Sequence, residues 1–292
     1  MNHHFNKGLV LTSIGSFWWG FIGVIYFEYV SFIGHIELVV HRCVWTALML
    51  ILTTIFLSKW KVLKKTLLIK KNIFGLFLSG LLIFINWAVW IYAVATERII
   101  DASFGYFIMP IISVLLGYIF FKENLNKKKI FSILLVSISI LILIFFNLKN
   151  LPWVGLIVAI SWAFYNLVRK KINVDTDIGL LIESLYILPF ALIVFYLIIK
   201  NGHNDFDLSK PRLSLLLTLA GPMTVIPLFL YVRGVELIGL GPTGMIFYIT
   251  PTLQFILGYF YYNEPFSLVK FVSFIIIWIA VIVYLKDLYE TN

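Results

Sequence analysis

The chain has 292 residues, of which 61% are hydrophobic and 13% charged, with a mean hydropathy of +0.99. A soluble domain needs about 25% charged residues to face water, so this composition excludes a water-soluble globule and leaves most of the exterior to face lipid. The net charge of +9 does not point to nucleic acid, because the lysines cluster briefly between apolar runs, as in loops facing anionic headgroups.

A membrane span needs about 20 mostly apolar residues to cross ~30 Å of hydrocarbon. In chain order the runs that fit are 8–30, 36–57, 73–95, 102–121, 130–148, 151–168, 178–199, 213–233, 240–262 and 267–286. They predict an all-α integral membrane protein of ten transmembrane helices. The runs are continuously apolar and not alternating, which favours helices over a barrel. The first run lacks a small-residue cleavage site and is expected to span as it stands, not to act as a separate signal peptide. The longest polar stretch, around 200–212, is loop-sized. With the N-terminus inside, sixteen Lys and Arg residues fall on the cytoplasmic side and six on the other, which predicts both termini in the cytoplasm.

The chain also resembles itself. The segment YFIMPIISVLLGYIFFKE (106–123) aligns with FYITPTLQFILGYFYYNE (247–264) at an offset of 141 residues. Pro110 then meets Pro251, Gly117 meets Gly258, Tyr118 meets Tyr259, Glu123 meets Glu264, and Gly80 meets Gly221. Each unit opens with an aromatic helix, FWWG at 17–20 and WAFY at 162–165. Two units of five spans follow, 1–148 and 149–292, and an odd number obliges the second to enter the membrane inverted. The loops agree: KENLNKKK after the fourth span is lysine-rich, and NEPFSLVK after the ninth is not. Inverted repeats of this kind mark secondary transporters, with the binding site near mid-membrane between the halves.

Six segments, HRCVW (41–45), INWAVWIYAV (85–94), DASFGYFIMP (101–110), AFYNLVRKKI (163–172), GLLIESLYILP (179–189) and YITPTL (248–253), together resemble the RarD family of EamA-type carriers, in the drug/metabolite transporter superfamily. The resemblance covers essentially the whole chain. It implies ten helices in two inverted repeats in a bacterial inner membrane. Superfamily relatives move amino acids, other metabolites and drugs, so it narrows the mechanism more than the cargo.

The candidate functional residues follow the spans. In the second, Glu37 and His41 share a helix face at i, i+4, and Arg42 projects about 100° away. Intramembrane charge costs several kcal/mol unless paired or wet, so Arg42 is expected to hold a carboxylate of substrate or protein, or to lock helices. His41 is a candidate proton carrier. Glu183 in the seventh span is expected to match Glu37 by pseudo-symmetry, and these three are the coupling or gating candidates. Asn86, Trp87 and Trp90 in the third span are cavity-lining candidates, as are Ser103 and Tyr106 in the fourth, Phe164 and Tyr165 in the sixth, and Tyr248 and Gln254 in the ninth. Aromatic walls with a few amides suit an amphipathic or cationic small molecule. Pro110 and Pro251 inside spans are candidate symmetric hinges, and Glu123 and Glu264 are expected at helix ends.

No catalytic constellation stands out. His3 and His4 are terminal, and His35, His41 and His203 lack ligand spacing. No glycine-rich phosphate loop is present, and the single Cys43 excludes a disulfide framework. No metal or cofactor is expected. The expected partners are a small-molecule substrate and the bilayer, with the protein a monomer or weak homodimer.

Overall fold

The computed structural model describes residues 3–95, 99–147, 153–202, 204–261 and 268–291, and among them there is no strand. Helix α1 (His3–Phe17) runs through a π-helical turn (Trp18–Ile22) into α2 (Gly23–Tyr29). Then come α3 (His35–Phe56), a short α4 (Trp60–Leu67), α5 (Lys70–Ala95), α6 (Ile99–Phe121) and α7 (Lys127–Asn147). The second part holds α8 (Trp153–Ile172), α9 (Thr176–Lys200), α10 (Pro211–Ile238), α11 (Leu240–Ile246), α12 (Ile249–Phe260) and α13 (Leu268–Thr291).

Among the described residues, seven helical segments are long and apolar enough to cross a membrane: His4–Tyr29, His35–Phe56, Lys70–Trp90, Lys127–Phe146, Thr176–Lys200, Pro211–Ile238 and Phe271–Glu290. Gly105–Phe121 is a shorter apolar stretch. Two other expected spans are modified by their own residues. Helix α8 is apolar and buried along much of its length but ends on Arg169, Lys170 and Lys171. The ninth run is broken between α11 and α12 at Phe247 and Tyr248.

The exterior is apolar, and polar side chains are buried within a largely apolar interior. Phe74, Phe145, Phe146 and Ile193 are exposed, whereas Ser79, Ser113, Ser139, Glu183 and Arg169 are buried. A solvent as apolar as leucine leaves packing and internal hydrogen bonds to hold helices together, so this arrangement suits a lipid-facing bundle.

The helices pack in a repeating pattern. Helix α1 lies on α10 and α8 on α5; α3 lies on α10 and α9 on α5; α6 lies on α8, and the π-helical turn lies on α12. Helices α3 and α9 pack together, as do α7 and α13. The α3–α10 crossing is close at Gly221, where an added Cβ would come within 2.7 Å of the Trp45 carbonyl oxygen. One end of the bundle gathers Lys59, Glu123, Lys170, Asp177 and Glu236, and the opposite end carries residues 30–34 and 204–210.

Candidate functional site

Arg42 sits on α3 toward the end of the bundle that carries residues 30–34. Its Nε donates to Thr224 Oγ1 on α10 at 2.8 Å, and the Thr224 hydroxyl in turn donates to the Ala220 carbonyl at 2.9 Å. The guanidinium carbon lies 4.6 Å from the Trp87 ring centroid and 5.1 Å from that of Phe27. Arg42 lines an opening of about 40 Å³ together with Phe27, Ser31, His35 and Trp90. Among the described residues no carboxylate forms an ion pair with it.

Glu37, His41 and Trp45 form a ladder along α3. Glu37 Oε1 accepts the amides of Asp205 and Phe206 at 2.8 and 3.2 Å, tying the loop between α9 and α10 to α3. The Trp45 indole N–H donates to His41 Nδ1 at 3.1 Å, so Nε2 carries the proton that faces Glu37 Oε1 at 3.4 Å. The His41 ring lies between Phe195 and Phe206. A second proton on His41 would displace the Trp45 bond. Loop attachment is what this geometry does.

Glu183 on α9 is buried in a different setting. Its Oε1 accepts from Ser79 Oγ of α5 at 2.5 Å, its Oε2 accepts from the Tyr165 hydroxyl of α8 at 3.2 Å, and Arg169 Nε lies 3.5 Å away. Arg169 Nη2 donates to the Thr176 carbonyl at 3.1 Å. Gly179 lets the guanidinium pass, since a Cβ there would occupy the same space. Glu183 also lines a narrower opening of about 10 Å³ with Thr46, Trp87 and Leu180. The expected match of Glu37 with Glu183 is therefore corrected: one carboxylate binds loop amides, the other hydroxyls and an arginine. The 141-residue offset applied to Arg42 falls on Glu183 and not on Glu37.

The other candidates divide. Trp87 and Trp90 line the openings. Asn86 instead ties α5 to α8, donating to the Val158 carbonyl at 2.9 Å and to Ser161 Oγ at 3.1 Å. Tyr165 is fully buried on Glu183. Tyr106 packs on Phe247, and the Tyr248 hydroxyl donates to the Phe107 carbonyl at 2.7 Å. Phe164 is exposed on the outer surface, which removes it from a cavity wall. Gln254 is partly exposed on α12 and lines neither opening. The side chain of Ser103 lies outside the described residues, as do all of His203 and Glu264.

Pro110 lies inside α6, but Pro251 is the third residue of α12, just after the break at Phe247 and Tyr248. A proline in the first turn removes an N–H that has no helical partner anyway. The two prolines therefore have unlike local structures, and a pair of identical hinges is not what they form. Glu123 takes the expected helix-end role. Its Oε1 and Oε2 accept the amides of Leu240 and Gly241 at 2.8 and 2.9 Å, capping α11, and Lys170 Nζ sits 2.8 Å from Oε1.

An aromatic cluster joining both parts of the chain escaped the sequence reading. The π-helical turn presents Trp19 edge-on to Trp162 at 5.1 Å, with Tyr231 and Phe247 completing the group. The FWWG and WAFY segments were the visible signal, but only tertiary contact shows that they meet.

The family model described as "EamA-like transporter family" matches twice, at residues 6–145 and 152–286. The transporter YojE of Bacillus subtilis is 34% identical over 95% of this chain and 93% of its own length. Protein RarD of Salmonella typhi is 33% identical over 98% of this chain and 97% of its own, and Protein RarD of Escherichia coli is 32% identical over 98% and 96%. A solved crystal structure 13% identical superposes with a TM-score of 0.71 over 94% of this chain and 96% of that one, a likeness of fold alone.

Proposed function

The chain belongs to the EamA-like transporter family, a family of membrane transporters and not of enzymes, and from that premise we propose that it is a secondary active carrier. In this reading it moves a small metabolite or drug-like solute across the bacterial inner membrane by alternating access. Ten helices cross the bilayer as two inverted halves, 1–148 and 149–292, with both termini in the cytoplasm.

The observation that carries the reading is the exchange symmetry of the packing. Swapping halves turns the α1–α10 pair into α8–α5, the α3–α10 pair into α9–α5, and the α6–α8 pair into α12 on the π-helical turn; the α3–α9 and α7–α13 pairs map onto themselves. Phe107 and Tyr248, equated by the 141-residue offset, touch each other, as equivalent residues astride a two-fold axis do. The family model likewise matches once in each half, at 6–145 and 152–286.

The two ends differ in state. The lysine-rich end is sealed by Lys59 with Asp175 and Asp177, by Lys170 with Glu123, and by Thr176 with Glu236. The opposite end is open at Arg42. Glu183, buried between halves and lining the narrower opening, is the best-placed residue to couple a proton to movement of the two halves.

Reconstitution tests the reading. Purified protein in proteoliposomes is expected to give saturable uptake with counterflow, stimulated by a pH gradient. Linear, non-saturating flux would make it a channel. Uptake unchanged by ionophore would remove Glu183 from coupling and leave the carrier.

A further inference from the structure

We infer that Arg42 is the head-group receptor for a carboxylate-bearing solute with an apolar or aromatic body; this rests on the carrier reading and names its substrate class. An arginine inside a membrane span persists only where it is paired or faces a wet cavity. Here Thr224 holds one of its five N–H donors, and the guanidinium lies over the rings of Trp87 and Phe27. That leaves four donors on the two terminal nitrogens, which find no acceptor among the described residues, while the side chain lines the opening. A planar fork fixed at Nε and stacked on an aromatic is pre-organised for bidentate contact with a carboxylate.

The sign of the charge follows from comparing equivalent positions. Glu183, the counterpart of Arg42 in the second repeat, is filled on three sides by Ser79, Tyr165 and Arg169. Arg42 has one hydrogen-bonding partner among the described residues, Thr224. Spare valence therefore lies on the cation, and the ligand that completes it is an anion. The faces of Trp87 and Phe27 are already occupied by a guanidinium, so a cationic head there would meet like charge. The expectation of an amphipathic or cationic cargo narrows to an amphipathic acid. The opening of about 40 Å³ exceeds the ~10–15 Å³ that seats a single water. It admits a carboxylate group, with the body of the solute directed to the mouth beside Trp90.

The test uses full-length protein in nanodiscs and a matched series: phenylacetate, indole-3-acetate, phenylalanine, phenylacetamide and phenethylamine. Binding is read from intrinsic tryptophan fluorescence and from thermal shift. The acids are expected to bind at least about tenfold tighter than the amide and the amine, the loss anticipated for hydrogen bonds to a charged group. Phenylalanine against phenylacetate then separates zwitterions from plain acids. Arg42→Gln is expected to abolish the preference for acid over amide, and Thr224→Val to weaken acid binding severalfold by freeing the fork. The wild-type comparison needs no variant, so a misfolded mutant leaves the outcome intact. Equal binding of acid and amide, preference for the amine, or no binding of any acid at millimolar concentration overturns the inference. Saturable uptake of some other solute, unaffected by Arg42→Gln, would sink it while sparing the carrier.

Discussion

Arg169 and Glu183 are each about 99% and 97% buried, yet Nε and Oε1 stay 3.5 Å apart, and Arg169 Nε and Nη1 make no hydrogen bond. The pair is held mainly by charge in a medium of low dielectric, with Ser79 and Tyr165 completing the carboxylate. Such a pair is weak evidence for stability when intact, but breaking it leaves an uncompensated buried charge. Glu183→Gln keeps the shape and removes the negative charge, so it is expected to destabilise the protein by about 3–5 kcal/mol, seen as an earlier thermal melt in detergent. Adding Arg169→Met to Glu183→Gln removes the stranded cation, and the double variant is expected to melt above Glu183→Gln alone. A double-variant loss equal to the sum of the losses of Glu183→Gln and Arg169→Met measured singly would mean the ion pair does not exist.

At the scale of elements, the sequence yields the helices more readily than their interruptions. Ten apolar runs announce themselves because each helix must satisfy its own backbone in lipid, and described helices overlap all ten of those runs. Intramembrane charge marked Arg42 and Glu183 for the same energetic reason. Their partners were hidden: Thr224 lies 182 residues from Arg42 and Ser79 lies 104 from Glu183, and no local pattern encodes such separations. Equally hidden were the π-helical turn and the α11–α12 break, where tertiary contacts override an unbroken apolar run. The lysine-rich stretch read as a loop folds as α4, burying Leu63 and Thr66, because eight residues give periodicity too little length to register. The break has a testable support. Glu123 caps α11 from the other half of the chain, so Glu123→Ala is expected to cost about 1–2 kcal/mol and to speed amide hydrogen exchange at Leu240 and Gly241. Unchanged exchange at those two amides would mean that the cap does not hold the helix.

For the whole molecule, the contrast between ends matters more than any single contact. An alternating-access carrier must part its halves at one end while closing them at the other, and the contacts at each end differ in kind. Amides and one buried carboxylate hold the loop at the Arg42 end, whereas charge pairs close the lysine-rich end. Lys59 is 29% exposed and its partners Asp175 and Asp177 are 43% and 10% exposed. Pairs that see water contribute little each, which lets such a seam open at modest cost. A reversible tether tests whether it does. With Cys43→Ala as background, Lys59→Cys and Asp177→Cys joined by a short disulfide-linked bis-thiol reagent should hold the seam shut. The tethered protein is expected to lose uptake, to regain it on reduction, and to retain solute binding from the Arg42 side throughout. Reduction-independent transport at the untethered rate would mean that the two halves need not separate there.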